Sequence, residues 1–262
     1  MKKLLTTLRF WGLDPILFLK NIKGIPFFFK DLQNIKKQRI LNGAKKEFPL
    51  KYYPVLTDKF AKAGTMSGHY FHQDLLVAKK IYAANPAKHV DIGSRVDGFI
   101  AHVAVFREIE VFDVRELNST IDNIRFKKAN LMEIPANMHN YCDSISALHS
   151  IEHFGLGRYG DPVDYFGHVK AIKNIVQILK PSGIFYFSVP IGKQRIEFNA
   201  HRVFSVSYLW DLLKENFILI SFSYVDDIGN LHENVEFTDA SIKNSFKCDY
   251  GCGIFELKKN EI

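Results

Sequence analysis

A short apolar strand that breaks at a glycine, followed by a second strand ending in a carboxylate, constrains this chain most. Residues 88–92 form the first strand pattern, and the chain turns at Gly93 before a helical pattern begins. The second pattern, residues 108–112, leads into Asp113, which lies 20 residues after the glycine. A glycine turn lets the backbone approach a ligand closely, and an acid at about this offset can meet ribose hydroxyls. Together the two features predict a nucleoside-type site.

Strand patterns and helical patterns alternate along the rest of the chain. Alternation of this kind predicts an α/β fold, a Rossmann-like doubly wound sheet with helices on both faces. We expect seven strands, mostly parallel, with an antiparallel last strand, because no clear helix separates the final two. Predicted strands lie near 88–92, 108–112, 124–127, 143–148, 183–189, 217–224 and 252–258, and predicted helices near 74–84, 98–106, 164–179 and 206–215.

Composition narrows the class of protein. The chain has 262 residues, 47% hydrophobic and 14% aromatic, which suits one α/β domain with an appendage and argues against disorder. No apolar stretch reaches the ~18 residues that a membrane-spanning helix needs. Three scattered cysteines are too few for a disulfide framework or a four-ligand zinc site, so we expect a reducing cytoplasm.

The positive charge is concentrated at the amino terminus. Residues 1–50 hold eleven Lys/Arg against three Asp/Glu, a net +8, whereas the remaining residues hold 24 against 25, a net −1. We therefore predict two domains, a basic amphipathic helical extension over 1–50 and the α/β domain over 51–262. A nucleic-acid enzyme more often carries its basic residues along the substrate face, so no nucleic-acid partner is predicted.

The extension itself has helical signals. Asp14 can cap a helix that starts with Pro15 at its first position, and Gly24 and Pro26 are expected to interrupt it before a second helix over roughly 27–40. Two interpretations remain open. The extension attaches the protein to an anionic membrane surface or an acidic partner, or it is a helical cap packed on the main domain or on a second subunit of a homodimer.

Polar residues follow each strand of the predicted sheet, at the edge where ligands bind in such folds. Gly93 and Ser94 follow the first strand, Asp113 the second and Asn130 the third. The fourth strand leads into a run that contains His149, Glu152 and His153. The motifs in this order read VDIGSRVDG at 90–98, ANL at 129–131, DSISALHSIEH at 143–153 and LKPSG at 179–183.

This order of motifs resembles the class I S-adenosylmethionine-dependent methyltransferases, and the resemblance covers roughly residues 85–260. Within that superfamily the chain resembles a domain-of-unknown-function group first catalogued from nematodes and found in bacterial polysaccharide gene clusters. The strings that carry this closer resemblance are GHYFHQD at 68–74, HFGLGRYGDP at 153–162, FNAHRVF at 198–204 and YGCG at 250–253.

The resemblance implies S-adenosylmethionine as cofactor and methyl transfer as activity. The implied acceptor is an anionic sugar, or a phosphorylated or nucleotide-linked precursor of capsule or lipopolysaccharide, methylated on oxygen rather than nitrogen or carbon. His153 is the first candidate for the catalytic base and His201 the second. The implied cofactor-binding residues are Asp91, Gly93, Ser94, Arg95, Asp113, Asn130, Leu131 and His149. The implied substrate-binding residues are Tyr70, Gln73, Glu152, Arg158, Asn199 and Arg202.

Alternatives remain at several positions. The glycine turn carries Arg95 and Asp97 where glycines are usual, which leaves open a methyltransferase-like protein that binds without catalysing. Glu152 can brace its loop with His153 packed against it, and Arg202 can serve a structural ion pair. His149, Glu152 and His153 invite a metal interpretation, but no third ligand stands at a recognisable spacing, so no metal is predicted. NAD binding is disfavoured because the turn is not Gly-x-Gly-x-x-Gly.

Overall fold

The computed structural model describes residues 7–43, 47–133 and 138–261. Two compact units divide the chain between Thr65 and Met66, which lies after the predicted boundary at residue 50. The parts of the predicted extension at 1–6 and 44–46 lie outside the described residues. Among the helices that the structure describes, none is both long and apolar enough to cross a bilayer.

The amino-terminal unit contains one long helix, α1 (Pro15–Leu41). The Asp14 side chain accepts hydrogen bonds from the backbone N–H groups of Ile16 and Leu17 at 3.0 and 3.1 Å, which confirms the predicted cap. The expected break at Gly24 and Pro26 is wrong, since the helix continues through both residues. Proline removes only its own N–H donor, and the bonds of the turns on either side persist.

The larger unit is built around one eight-stranded sheet and a separate two-stranded hairpin. The strands are β1 (His89–Ile92), β2 (Ile109–Asp113), β3 (Ile124–Lys128), β4 (Cys142–Leu148), β5 (Leu179–Ile191), β6 (Arg195–Glu197), β7 (His201–Val203), β8 (Phe217–Val225), β9 (Leu231–His232) and β10 (Gly251–Lys259). The order across the sheet is β3-β2-β1-β4-β5-β10-β8-β9, and β6 pairs with β7 in the hairpin.

The sheet is parallel from β3 to β5 and antiparallel beyond it. β10 lies between β5 and β8 and runs antiparallel to both, which confirms the expected antiparallel last strand. The predicted count of seven strands is wrong by one, because β9 pairs with the end of β8 through Tyr224 and His232. A strand of two residues leaves no periodicity in the sequence, so pattern analysis does not detect it.

Helices cover both faces of the sheet. They are α2 (His69–Ala84), α3 (Ala101–Ala104), which follows a π-helical turn (Val96–Ile100), α4 (Gly167–Ile178), α5 (Val206–Leu213) and α6 (Asp239–Lys243). One apolar cluster joins α2 and α3 to one face, and a second joins α4 and α5 to the other. Because both faces are covered, β1 is buried at every position, although two of its four residues, His89 and Asp91, are polar.

The reversal of strand order lies at β1, which pairs with β2 on one side and with β4 on the other. The chain first builds outward through β2 and β3, then crosses back to add β4 and β5. In doubly wound sheets a crevice opens at this point, outside the carboxyl ends of the strands. The fold therefore places the candidate site above β1, β2 and β4.

Candidate active site

A cavity of about 390 Å³ lies at the carboxyl ends of β1, β2, β3 and β4. Its volume falls in the usual range of small-molecule sites, roughly 300–1,000 Å³. Nine of the residues predicted from sequence line it, which are Tyr70, Gly93, Ser94, Arg95, Asp113, Asn130, Leu131, His149 and His153.

The turn after β1 requires a glycine. Gly93 has a φ of +66°, in the left-handed region, and a Cβ atom there would stand 3.3 Å from the Cβ of Ser150. The same Cβ position lies 4.0 Å from Oδ2 of Asp113. The predicted pairing of the glycine turn with the strand-end acid is therefore confirmed, since the two residues face each other across the cavity wall.

Asp113 is held in place by Arg115, two residues further on. The Asp113 carboxylate accepts from the backbone N–H of Arg115 at 2.8 Å and from its guanidinium at 3.0 and 2.6 Å. The Arg115 guanidinium also lies over the Tyr159 ring, 4.4 Å from its centroid. A carboxylate offers about four acceptor positions and Arg115 takes three of them, so one position, on Oδ2, remains for a ligand hydroxyl.

Asp91 supports the turn from below and does not line the cavity. Its carboxylate accepts from the backbone N–H and hydroxyl of Ser94 at 2.9 and 2.7 Å, and from the hydroxyl of Ser146. The Ser94 hydroxyl in turn accepts from the backbone N–H of Leu148 at 3.0 Å. Burial raises the pKa of Asp91 to about 7, although these donors act in the opposite direction. The network fixes the end of β1 against β4.

Arg95 and Tyr70 form one wall of the cavity. The Arg95 guanidinium lies 5.0 Å from the centroid of the Tyr70 ring and pairs with Asp97, Nη2 to Oδ2, at 3.0 Å. The Arg95 side chain is 51% exposed, so the guanidinium remains accessible to a ligand anion. Arg95, which stands where a glycine is usual, therefore adds a positive charge to the cavity wall and does not occupy the space inside the turn.

The loop after β3 contributes an amide and an apolar surface. The Asn130 side-chain oxygen accepts from the backbone N–H of Met132 at 3.1 Å, which orients the amide at the cavity. Leu131 is buried in the core while still lining the cavity, and Asn174 donates to its carbonyl at 2.8 Å. Both residues occupy the positions expected from the ANL motif.

The His153 ring has a defined tautomer. Its Nδ1 lies 2.7 Å from the carbonyl oxygen of Ala200, which can only accept, so Nδ1 carries the proton and Nε2 presents a lone pair. Burial lowers the pKa of His153, against the opposing effect of the Glu152 carboxylate. The ring is thus neutral near pH 7 and able to accept a proton at the cavity.

His149 and Glu152 form a buried pair beside His153. Nδ1 of His149 lies 2.8 Å from Oε1 of Glu152, and both side chains are almost fully buried. Burial acts to lower the pKa of His149, but the Cys252 sulfur and the Glu152 carboxylate raise it above its ordinary value. Glu152 does not line the cavity, so its contact with His149 gives it a positioning role.

Besides Asp91 and Glu152, five predicted site residues do not line the cavity. Gln73 is buried, donates to Asp74 and accepts from Ser188. Asn199 is exposed near the hairpin of β6 and β7, and His201 faces Glu197 at 3.4 Å. Arg158 donates to the Ala200 carbonyl at 2.9 Å from an exposed position.

Arg202 is the fifth of these residues, and its guanidinium is committed to the backbone. It is 4% exposed and donates to the carbonyl oxygens of Glu152, Phe154 and Tyr165 at 3.3, 2.7 and 3.1 Å. A planar fork suits three converging carbonyls as well as it suits a phosphate. These contacts make Arg202 a support of the loop that carries His153.

Sequence analysis missed Arg115, which lies beside Tyr159. Both line the cavity, and the Tyr159 ring packs edge-on against the His153 ring with 5.3 Å between centroids. The position of Arg115, two residues after the strand-end acid, is the signal that could have identified it.

The chain is similar to several solved structures, and two of the three described here are named as methyltransferases. The [4+2]-cyclase SpnF is 14% identical with a TM-score of 0.52, over 72% of this chain and 81% of that chain. The 1,6-didemethyltoxoflavin-N1-methyltransferase of Burkholderia thailandensis is 15% identical with a TM-score of 0.51, over 72% and 78%. The N-methyltransferase NodS of Bradyrhizobium japonicum WM9 is 12% identical with a TM-score of 0.51, over 75% and 100%. At these identities the likeness establishes the α/β Rossmann-like methyltransferase fold alone.

A search of curated proteins finds no match to the chain. A family model does match, over residues 102–250, which is more than half of the chain. The matched segment runs from α3 through the His149–His153 segment to the start of β10. The chain therefore belongs to the family described as "Caenorhabditis protein of unknown function, DUF268".

Proposed function

We propose that this protein is an S-adenosylmethionine-dependent methyltransferase. The observation that carries the proposal is the cavity in which the Gly93 turn and the Asp113 carboxylate face each other at the carboxyl ends of β1 and β2. The residues present fit an adenosine-containing cofactor, because the wall combines a carboxylate, a backbone turn without a Cβ, an amide and an apolar surface.

Each part of the cofactor has a matching group in the wall. Asp113 would accept from a ribose hydroxyl, and the backbone at Gly93 and Ser94 would hold the methionine portion. Arg95 pairs with the methionine carboxylate, since its guanidinium is accessible beside Tyr70. Asn130 and Leu131 contact the adenine. When bound, S-adenosylmethionine supplies a methyl group already activated on its sulfonium.

The chain's own contribution to the reaction is alignment and proton removal. His153 accepts the acceptor's proton at Nε2, while its Nδ1–H stays bonded to the Ala200 carbonyl. Tyr159 packs edge-on against the ring and limits its rotation. Arg202 maintains the loop beneath, and Glu152 orients the neighbouring His149.

The acceptor we propose is the hydroxyl of an anionic sugar precursor of surface polysaccharide, and this choice rests on the resemblance of the motifs alone. Two structural neighbours are named as N-methyltransferases, so an amino group is the competing acceptor. Arg115 and Arg158 flank the Tyr159 ring and offer positive charge to an anionic acceptor. Labelled methyl transfer into a panel of nucleotide sugars and amino sugars distinguishes the two.

Calorimetry with S-adenosylhomocysteine tests the cofactor assignment directly. We expect saturable binding with one site per chain. Absence of heat at high ligand concentration, with NAD as a parallel titrant, would remove the enzyme proposal. A second candidate function is a non-catalytic protein that binds the cofactor, and the Arg95–Asp97 pair in the turn favours it. This second function predicts that S-adenosylhomocysteine binds but that no acceptor in the panel is methylated.

We also propose that the amino-terminal unit makes peripheral contact with anionic membranes. Phe10, Trp11 and Phe18 are 81%, 73% and 65% exposed, in a segment with a net charge of +8 over residues 1–50. Cosedimentation with phosphatidylglycerol vesicles tests this proposal. Trp11→Ser should weaken binding to the vesicles, whereas Ile228→Ser, at an exposed position on the other unit, should leave binding unchanged. Equal binding to neutral phosphatidylcholine vesicles would overturn it.

A further inference from the structure

Three side chains with metal-binding atoms meet beside the cavity. They are His69 at the start of α2, His149 after β4 and Cys252 in β10, and one ligand atom from each lies within 4.8 Å of the others. The three residues come from separate elements of the larger unit, so the fold and not a local motif assembles the cluster. Among the described residues no other group of three His, Cys, Asp or Glu side chains meets this criterion.

His149 is prepared as a ligand by its neighbour. Its Nδ1 is taken by the Glu152 carboxylate at 2.8 Å, which leaves Nε2 as the ring atom for any further partner. The residue is only 8% exposed, and its Nε2 atom is fully buried and makes no hydrogen bond. A carboxylate on the far nitrogen of a histidine is the usual support of a metal-bound imidazole. An orphaned buried nitrogen in this arrangement points to a ligand.

Cys252 supplies the thiol of the cluster. It is a free cysteine with 0% exposure, and its sulfur makes only long contacts, 3.6 Å to Oε1 of Gln73 and 3.8 Å to the Gly253 carbonyl. Both contacts are to oxygen atoms that accept hydrogen bonds, so they would not stabilise the negative charge of a thiolate. The sulfur therefore has no strong hydrogen bond to lose when it binds a cation.

His69 completes the set from the amino-terminal end of α2. Its ring lies parallel to the His149 ring, with 5.2 Å between centroids and 4° between planes. The His69 ring also packs against the Tyr250 ring, with 5.4 Å between centroids, which supports its position beside His149.

We propose that His69, His149 and Cys252 bind one zinc ion, with the fourth position taken by water or another exogenous donor. Tetrahedral zinc with bonds of ~2.0–2.1 Å to nitrogen and ~2.3 Å to sulfur needs ligand atoms about 3.3–3.6 Å apart. The three atoms lie within 4.8 Å of one another, so binding requires the side chains to rotate and to bring the atoms closer together. The Cys252 thiol proton, and any proton on Nε2 of His149, pass to solvent on binding. A mixed nitrogen and sulfur set favours zinc over magnesium or calcium.

This site is distinct from the one that sequence analysis considered and set aside. That set consisted of His149, Glu152 and His153, whereas the structure turns Nδ1 of His153 to the Ala200 carbonyl and assigns Glu152 to support. The proposal does not depend on methyl transfer, because it concerns metal binding alone. The opposing interpretation is a buried Cys–His pair that binds no ion.

Cobalt substitution of the full-length protein tests the proposal. Protein stripped with a chelator is titrated with Co²⁺ and then with Zn²⁺, and absorbance is followed. We expect one equivalent of Co²⁺ to produce visible bands and a near-ultraviolet thiolate-to-cobalt band, both abolished by one equivalent of Zn²⁺. A featureless spectrum would overturn the proposal, whether or not the protein binds S-adenosylhomocysteine.

Two cysteines provide matched variants. Cys252→Ser should remove the thiolate band and weaken Zn²⁺ binding by more than about 100-fold, beyond the effect typical of supporting residues. Cys248→Ser, also buried but outside the cluster, should retain both. His69→Gln, at a partly exposed helix end, provides a second test if Cys252→Ser does not fold. Equal Zn²⁺ affinity in the wild type and the cluster variants would contradict the site.

Discussion

Oδ2 of Asp113 lies 4.0 Å from the position that a Cβ atom on Gly93 would occupy, which joins the ends of β1 and β2 in one ligand wall. The positive φ of Gly93 turns the chain away from the sheet immediately after β1, and the parallel pairing of β1 with β2 brings the acid to the same edge. The backbone therefore brings the two strand ends together, and the Arg115 guanidinium fixes the carboxylate itself.

Replacing Asp113 with alanine should weaken binding of S-adenosylhomocysteine. The lost interaction is a charge-assisted hydrogen bond to the ribose, worth about 1–3 kcal/mol, or roughly 5–150-fold in Kd. Calorimetry measures it. Glu108→Ala is the control, since this acid stands next to the opposite end of β2 and is 54% exposed. Unchanged affinity in Asp113→Ala would mean that the acid does not face the ligand.

Replacing His153 with glutamine should lower turnover and spare cofactor binding. Loss of a general base costs typically 10²–10⁴-fold in kcat, and glutamine removes the base while keeping a polar side chain of similar length. Turnover is followed as labelled methyl transfer to whichever acceptor the panel identifies. His102→Gln is a matched control, because His102 is exposed and also bonds a backbone carbonyl, that of Gly98. If the His153 variant turns over as fast as the wild type, His153 is not the base, and His201→Gln is the next variant to measure.

The sheet could be predicted from sequence because its central strands are buried on both faces. Val90, Ile145 and Phe187, in three of these strands, have no exposed surface. Short apolar segments of this kind are typical of buried strands, whatever the order of the strands in the sheet. The continuity of α1 could not be predicted. A Cβ on Gly24 would stand 2.0 Å from the Leu56 carbonyl oxygen, so this glycine serves close packing within the amino-terminal unit and not a helix end.

The wall formed by Gly93, Asp113 and the ANL motif could be predicted because each residue directly follows a strand. The roles of Arg202 and Cys252 could not, since they depend on partners distant in sequence. Arg202 donates to the Phe154 carbonyl, 48 residues earlier in the sequence. Cys252 lies close to His69, although the two residues stand near opposite ends of the larger unit in sequence. Contacts at such separation leave no spacing signal in one sequence.

Replacing Arg202 with methionine should destabilise the protein rather than weaken acceptor binding alone. The substitution leaves the carbonyls of Glu152, Phe154 and Tyr165 without their donor, and each buried acceptor left unsatisfied costs about 1–3 kcal/mol. We expect a loss of about 2–5 kcal/mol in urea unfolding. Arg125→Met, whose side chain is 62% exposed, should change stability by no more than about 0.5 kcal/mol. Equal midpoints for the two variants would return Arg202 to the list of anion-binding candidates.

Replacing Asp91 with asparagine should change how stability depends on pH. Burial raises the pKa of Asp91 from 3.8 to about 7, so the folded protein keeps a proton that the unfolded chain has lost across this interval. The folded state therefore binds one more proton, and this group's contribution to the free energy of unfolding is full below pH ~4. It falls by about 1.4 kcal/mol per pH unit as the pH rises to about 7, and is constant above that.

The comparison of wild type with Asp91→Asn isolates this contribution, because other titrating groups are common to both. Urea unfolding at intervals between pH 4 and 8 should show the wild type losing stability relative to the variant up to about pH 7, with parallel curves beyond. Asp97→Asn, an exposed acid in the same turn whose carboxylate pairs with Arg95, should show no such loss in that interval. Curves parallel throughout for wild type and Asp91→Asn would mean that the donors from Ser94 and Ser146 outweigh burial and keep the carboxylate ionised.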